Sequence, residues 1–178
     1  METPVDILYK EYKALSNYLQ EKGEISFQIA IGTQYKKSLV MAAASFFETE
    51  VLKTIEDFYH EKGNGDNTIL SFVKNKAIKR QYHSYFNWEK NNGYTQFFGL
   101  LGQDFQSFIK EEMNKFPTLN PSLEAFISIG SERNLLAHLN FASYDVTKTA
   151  DEIYSLYITA SYFVTNLSLL LRKKSIPT

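Results

Sequence analysis

Apolar side chains recur every three or four residues along most of the chain, which is the spacing of one helix face. A first helix is predicted to start at Thr3-Pro4, where threonine caps and proline fits the first turn, and to end at Lys22-Gly23. A second segment, from about Ile25 to Lys62, has no glycine or proline between Leu39 and Ile55. It predicts a long central helix that ends at 63–66.

The remaining segments predict shorter helices and one further long helix. A third helix is expected from Thr68 through Arg80, followed by an irregular aromatic stretch from Tyr82 to Phe98. Later helices are predicted at Thr95–Leu101, Gln103–Asn114, Asn120–His138 and Thr149–Lys173, with a loop at Asn140–Lys148. Thr149 and Glu152 match a capping box. Strict alternation of apolar and polar residues is rare, so strands are not expected and the fold class is an all-α bundle.

Composition supports one globular domain spanning residues 1–178. Hydrophobic residues make up 44% of the chain, and 19 basic against 20 acidic residues give a net charge of −1. That balance excludes a protein coated in positive charge, although it permits a local basic patch. The chain has no cysteine, which excludes disulfides, thiol nucleophiles and cysteine-held metals.

A membrane span is considered for the last helix and is not favoured. Residues 153–171 carry no charge and are followed by Arg172-Lys173-Lys174, and nineteen residues are long enough to cross a bilayer. The same segment contains serine, threonine, asparagine and tyrosine, which favours a helix buried in a core or a subunit contact. The N-terminus lacks the basic start and apolar stretch of a signal peptide. A cytoplasmic location without membrane contact is therefore expected.

Most motifs that carry chemistry are missing from the chain. There is no Gly-rich phosphate loop, no His-Glu-x-x-His and no Gly-x-Ser-x-Gly. The carboxylate pair Glu111-Glu112 is interpreted as a solvated helix face. What remains is Arg133 and His138, near the end of a predicted helix.

Arg133 and His138 are suited to phosphodiester cleavage if they are brought together. Five helical steps place them about 140° apart and about 7.5 Å along the axis, so the helix must end near His138 or a second subunit must contribute. A guanidinium can hold two phosphate oxygens, and an imidazole can transfer protons near neutral pH. The internal 2′-hydroxyl of RNA is the nucleophile, so no metal or cofactor is needed. The alternative is a surface arginine and a histidine that caps the helix C-terminus.

The stretch Arg133-Asn134-Leu135-Leu136-Ala137-His138 resembles the R-x(4–6)-H motif of the HEPN superfamily. The order of helices after it, together with 44–48 and 97–105, resembles the RiboL-PSP-HEPN branch over roughly residues 36–171. The resemblance implies a helical bundle with a long central helix and short helical insertions. It also implies a metal-independent endoribonuclease, often a toxin or phage-defence effector, that works as a homodimer pairing two motifs in one cleft.

By the same resemblance, Arg133 and His138 are the catalytic pair and Asn134 orients the phosphate or the pair. Glu48 is a candidate supporting residue, with an exposed helix carboxylate as the alternative. The family's usual small residue after the histidine is Leu139 here. An antitoxin or defence-system protein is a possible partner. Many HEPN domains lack activity, so the rival hypothesis is an inactive module that binds RNA, nucleotide or protein and dimerises. A third is a structural subunit of a larger complex.

RNA binding requires positive charge, to which Arg172-Lys173-Lys174 contributes three residues. The main basic cluster consists of Lys74, Lys76, Lys79 and Arg80. Aromatic residues follow at Tyr82, Tyr85, Phe86 and Trp88, and aromatic rings beside basic residues can stack unpaired bases. The alternative is a solvated helix face followed by core aromatics.

Overall fold

The structure is a computed structural model that describes residues 2–64, 66–174 and 176. Within these residues the chain forms eight α-helices and one π-helical segment, without strands. The helices are α1 (Pro4–Glu21), α2 (Ile25–Lys62), α3 (Asn67–Val73), α4 (Tyr82–Tyr85), α5 (Tyr94–Leu100), α6 (Gln103–Lys115), α7 (Leu119–His138) and α8 (Ala150–Leu171). The predicted all-α bundle with a long central helix is confirmed. Of the predicted end of α2, Gly65 lies outside the described residues.

Helix ends follow the caps that the sequence contains. At both Thr3 and Thr149 the hydroxyl accepts a hydrogen bond from a backbone N–H of the first turn. The carboxylate of Asp6 or Glu152 in turn accepts a hydrogen bond from the backbone N–H of the capping threonine. Each capping box satisfies two backbone donors that the helix leaves unpaired. The Thr3 hydroxyl also lies 2.8 Å from the Tyr157 hydroxyl, which ties the start of α1 to α8.

The core lies where α2, α7 and α8 meet. Phe126 of α7 contacts Phe47 of α2 at a ring distance of 5.7 Å and Phe163 of α8 at 5.2 Å. Tyr157 of α8 stacks on Phe47 at 5.4 Å. These rings are almost fully buried, so the three long helices form a rigid frame on which the shorter helices pack.

α8 is the one helix among the described residues that is long and apolar enough to cross a membrane. Its buried positions face α2 and α7, and its exposed positions carry polar side chains except at Ile158. Two packed neighbours and a polar outer face are the features of a core helix in a soluble protein. The evidence for a membrane span is therefore weak, and a cytoplasmic location stays a prediction.

The third helix departs from its predicted course. Instead of running regularly to Arg80, it widens into a π-helix at Lys74–Ile78, and Arg80 adopts a positive φ of 63°. The wider turn buries Ile78, and the Tyr85 hydroxyl donates to the carbonyl of Ala77. The π-helical turn thus occurs where the segment packs against the rest of the bundle, and π-helical turns are commonly short pieces of this kind.

The interpretation of Glu111-Glu112 as a solvated face is wrong for one of the pair. Glu112 is fully buried at 0% exposure, whereas Glu111 is exposed. The Glu112 carboxylate accepts from Lys115 at 3.0 Å and from the backbone N–H of Ile176 at 3.3 Å. Buried acidic groups need such partners, and these link α6 to the C-terminal segment.

Candidate active site

The Arg133–His138 stretch occupies the last turns of α7. The helix is regular through His138, and the chain leaves it at Leu139, whose backbone is extended at φ −93° and ψ 169°. The prediction that the helix ends near His138 is therefore confirmed. Extended backbone accepts any side chain, so the bulky Leu139 fits in place of a small residue. His138 is exposed, while Arg133 and Asn134 are half-buried.

A small cavity brings three parts of the chain to Arg133. Its volume is about 10 Å³, which is room for a single water molecule. The lining residues come from α2, from the segment around α4, and from α7: Ala44, Glu48, Tyr82, His83, Trp88, Gly130, Arg133 and Asn134. Of the predicted site residues, the fold thus brings Glu48, Arg133 and Asn134 together around one cavity.

Arg133 keeps most of its hydrogen-bonding capacity. Its Nη1 donates to Asn134 Oδ1 at 3.2 Å. No ion pair within 4.0 Å involves Arg133 in the part of the chain that the structure describes. A guanidinium has five N–H donors, so the unused ones are available to an anion such as a phosphate. Asn134 thus contacts the guanidinium, and its orienting role stays a prediction.

His83 is a member of this cavity that the sequence reasoning missed. Partial desolvation at the edge of the cavity lowers the pKa of His83 although the residue is exposed to solvent on its outer side, the charge of Arg133 lowers it further, and Glu48 opposes the shift. His138 also lowers the pKa of His83, so both imidazoles lie within electrostatic reach of each other. Arg133 lines the cavity and His138 does not, while His83 interacts electrostatically with both.

Two lysines of α2 hold the loop that follows His138. Lys37 is 2% exposed, and its ammonium donates to the carbonyls of Phe141 at 2.7 Å and Ala142 at 3.3 Å. Lys36 pairs with Asp145 of the same loop at 2.6 Å. Because α2 also carries Glu48, these contacts fix the loop after His138 to the helix that supplies the cavity's carboxylate.

The predicted basic cluster does not line this cavity. Lys74 pairs with Glu56, and Lys76 borders a separate apolar cavity of about 360 Å³ beside α2, α5 and α8. Lys79 and Arg80 are exposed. Contact of this cluster with RNA stays a prediction.

The aromatic residues after the basic cluster are all buried, which confirms the core alternative and removes them as surface stacking platforms: Tyr82, Tyr85, Phe86 and Trp88.

A sequence model of the RiboL-PSP-HEPN family matches residues 6–173. The chain belongs to the RiboL-PSP-HEPN family. No significant match was found among curated proteins or among solved structures. The HEPN assignment agrees with the all-α architecture and supports a ribonuclease or nucleotide-binding role. Among the described residues of this HEPN domain, no group of three or more His, Asp or Glu side chains is placed to hold a metal ion.

Proposed function

We propose that this HEPN domain is a metal-independent endoribonuclease with its catalytic groups at the end of α7. The observation that carries the proposal is Arg133, which lines one cavity with Glu48 and His83 and makes no ion pair with a carboxylate among the residues that the structure describes. A guanidinium beside an imidazole supplies the charge stabilisation and the proton transfer that phosphodiester cleavage requires. Because the cavity is too small for a base, the proposal puts the scissile phosphate at its rim.

The reaction is an internal transesterification. The 2′-hydroxyl loses its proton, its oxygen forms a bond to phosphorus, and the bond from phosphorus to the 5′-oxygen breaks as that oxygen takes a proton. The products carry a 2′,3′-cyclic phosphate and a 5′-hydroxyl. Arg133 stabilises the charge of the phosphorane, and Asn134 orients the guanidinium. His138 transfers one of the two protons.

We also propose that two copies pair at this end of the molecule. Three apolar side chains in the motif or just after it are solvent-exposed: Leu135 (41%), Leu139 (50%) and Phe141 (45%). Clustered apolar residues around a functional site are typical of a protein contact. Light scattering after size exclusion should show a dimer that Leu139→Glu converts to a monomer. Leu100→Glu, at an exposed leucine on α5, is the matched control and should remain dimeric.

The experiment that tests the activity is cleavage of end-labelled RNA in EDTA. Wild type is compared with Arg133→Ala, Arg133→Lys and His138→Ala. We expect His138→Ala to lose about 10²–10⁴-fold in rate, the range for general acid–base groups. Arg133→Lys should remain impaired, since an ammonium cannot hold two phosphate oxygens in the same way. His60→Ala is the matched control, because His60 is exposed and lies about 18 Å along α2 from Glu48.

Product ends decide the mechanism. A 5′-phosphate on the downstream fragment would contradict attack by the 2′-hydroxyl. Absence of cleavage by folded wild type would favour the alternative of a binding module.

For the proposed role as a toxin or defence effector, expression should arrest growth, and His138→Ala should relieve the arrest at equal protein level. An antitoxin or defence protein would then be sought as its partner.

A further inference from the structure

His83 lies in the proposed site although it is about fifty residues from the motif. It lines the same cavity as Glu48 and Arg133, and it belongs to the four-residue helix α4. Its imidazole is exposed, so it is accessible to a bound RNA strand. The charged groups that face it are Glu48 from α2 and Arg133 and His138 from α7, with Tyr82 beside it on α4.

The backbone around His83 is held by buried aromatic rings. The carbonyl of His83 accepts from Nε1 of Trp88 at 3.0 Å. Tyr82 packs edge-on against the imidazole at 5.6 Å and contacts the Trp88 ring at 5.7 Å. Tyr82 and Trp88 are both buried. An exposed side chain on an anchored backbone is the arrangement that a catalytic group needs, because its position is set before substrate binds.

Trp88 also couples His83 to α7. The ring lies so close to Gly130 that a Cβ added there would be 2.0 Å from Cζ3 of the indole. Gly130 is one turn before Arg133 on the same helix. The contact therefore sets the distance between the segment that carries His83 and the turn that carries Arg133.

The surroundings of the two imidazoles differ. Partial desolvation together with Arg133 and His138 lowers the pKa of His83, which favours the neutral imidazole, the form that accepts a proton. His138 is the last residue of α7 and does not line the cavity. Because His83 faces the cavity beside Arg133 in a form that accepts a proton, the acceptor role falls to His83, and the donor role is left to His138, the second imidazole within its electrostatic reach.

We propose that His83 is the catalytic proton acceptor of this site and that His138 is the proton donor. This inference rests on the proposed ribonuclease function. His83 takes the 2′-hydroxyl proton as the 2′-oxygen bonds to phosphorus. His138 gives its proton to the 5′-oxygen as the bond from phosphorus to that oxygen breaks. One subunit thus carries both proton-transfer groups and the guanidinium that stabilises the phosphorane.

The test compares two substrates in EDTA: an oligoribonucleotide, and a uridine 3′-phosphate 4-nitrophenyl ester, whose leaving group needs no proton. His83→Ala should slow cleavage of both substrates by about 10²-fold or more. His138→Ala should slow cleavage of the oligonucleotide by a similar factor and of the ester by less than about tenfold. His83→Gln, which keeps a polar side chain of similar size, should resemble His83→Ala. His60→Ala should match wild type on both substrates.

The outcomes separate this proposal from the function on which it rests. If wild type cleaves both substrates and His83→Ala cleaves them at rates within about threefold of wild type, the role of His83 is overturned. The ribonuclease function then still stands. In the reverse pattern, His83→Ala cleaves the ester at nearly the wild-type rate and His138→Ala does not. That result overturns the assignment of acceptor and donor. Failure of wild type to cleave either substrate overturns both proposals. Circular dichroism melts check that each variant is folded.

Discussion

Gly130→Ala is the substitution that tests most directly how the site is assembled. An added Cβ would lie 2.0, 2.2 and 2.9 Å from three carbons of the Trp88 ring, whereas nonbonded carbons rest at about 3.5–4.0 Å. The indole cannot simply swing away, because it is packed against Phe86 at 5.0 Å and Phe126 at 5.8 Å. Relief of the clash therefore requires a shift of more than about 1 Å between α7 and the Trp88 segment.

The size of the effect follows from two opposed contributions. Overpacking a core costs about 1–3 kcal/mol, and a clash this short belongs at the upper end. Replacing a mid-helix glycine with alanine returns about 1 kcal/mol. We expect a net loss of about 2 kcal/mol, which lowers Tm by about 4–8 °C in a chain of this length. Displacement of the Trp88 segment should also move His83 and lower any cleavage activity.

The assay uses Trp88 itself, since it is the only tryptophan in the chain. Urea unfolding is followed by Trp88 fluorescence and by circular dichroism. The two signals give the free energy of unfolding, and the fluorescence of the folded protein reports any change in the surroundings of the Trp88 ring. Gly32→Ala is the matched control, because a Cβ there would meet only the Tyr12 hydroxyl at an ordinary 3.8 Å. It should gain about 0.5–1 kcal/mol from helix propensity. A Gly130→Ala protein as stable as wild type, with unchanged fluorescence, would refute the reasoning.

Four further predictions concern the frame of the site and the titration of His83. Lys37→Met should cost about 1–3 kcal/mol and speed amide exchange in residues 139–148, because two loop carbonyls lose their buried donor. Thr149→Ala should cost about 1 kcal/mol by loss of a cap. Thr3→Ala should cost more in the same unfolding assay, since Thr3 also contacts Tyr157. Between pH 7 and 5, wild type should lose stability that His83→Ala retains, because the lowered pKa of His83 lets the unfolded chain, with an ordinary pKa of about 6.5, bind the proton first.

Local patterns predicted the long helices and the end of α7 because each has a local cause. Capping threonines, Gly63 after α2 and apolar residues at helical spacing act within a few residues of one another. The π-helix and the burial of Glu112 have no such cause. They depend on contacts with Tyr85 and Ile176, which are remote in the sequence or belong to another element.

The site was predicted in part for the same reason. Arg133, Asn134 and His138 form a contiguous motif, and Glu48 lies on a strongly predicted helix. His83 lies in an irregular segment, and only the packing of Trp88 on α7 brings it to Arg133. A signal was present: an isolated glycine within a helix, here Gly130, often marks a close approach by another part of the chain. The chain has a single tryptophan and three histidines, so few segments could both pack a large ring against Gly130 and bring a histidine to Arg133.

The proposal that both imidazoles act in one subunit makes a testable statement about which subunit of the dimer supplies the catalytic groups. If His83, Arg133 and His138 act within one subunit, the partner adds RNA-binding surface and no catalytic group. A dimer of wild type with a subunit carrying Arg133→Ala, His83→Ala and His138→Ala should then keep about half of the wild-type rate. If instead the two motifs form one shared site, the same mixed dimer should lose nearly all activity. Co-expression of two differently tagged copies, with the mixed dimer purified through both tags, measures this directly. A mixed dimer with only residual activity would show that the single-subunit mechanism is wrong even where each histidine proves essential.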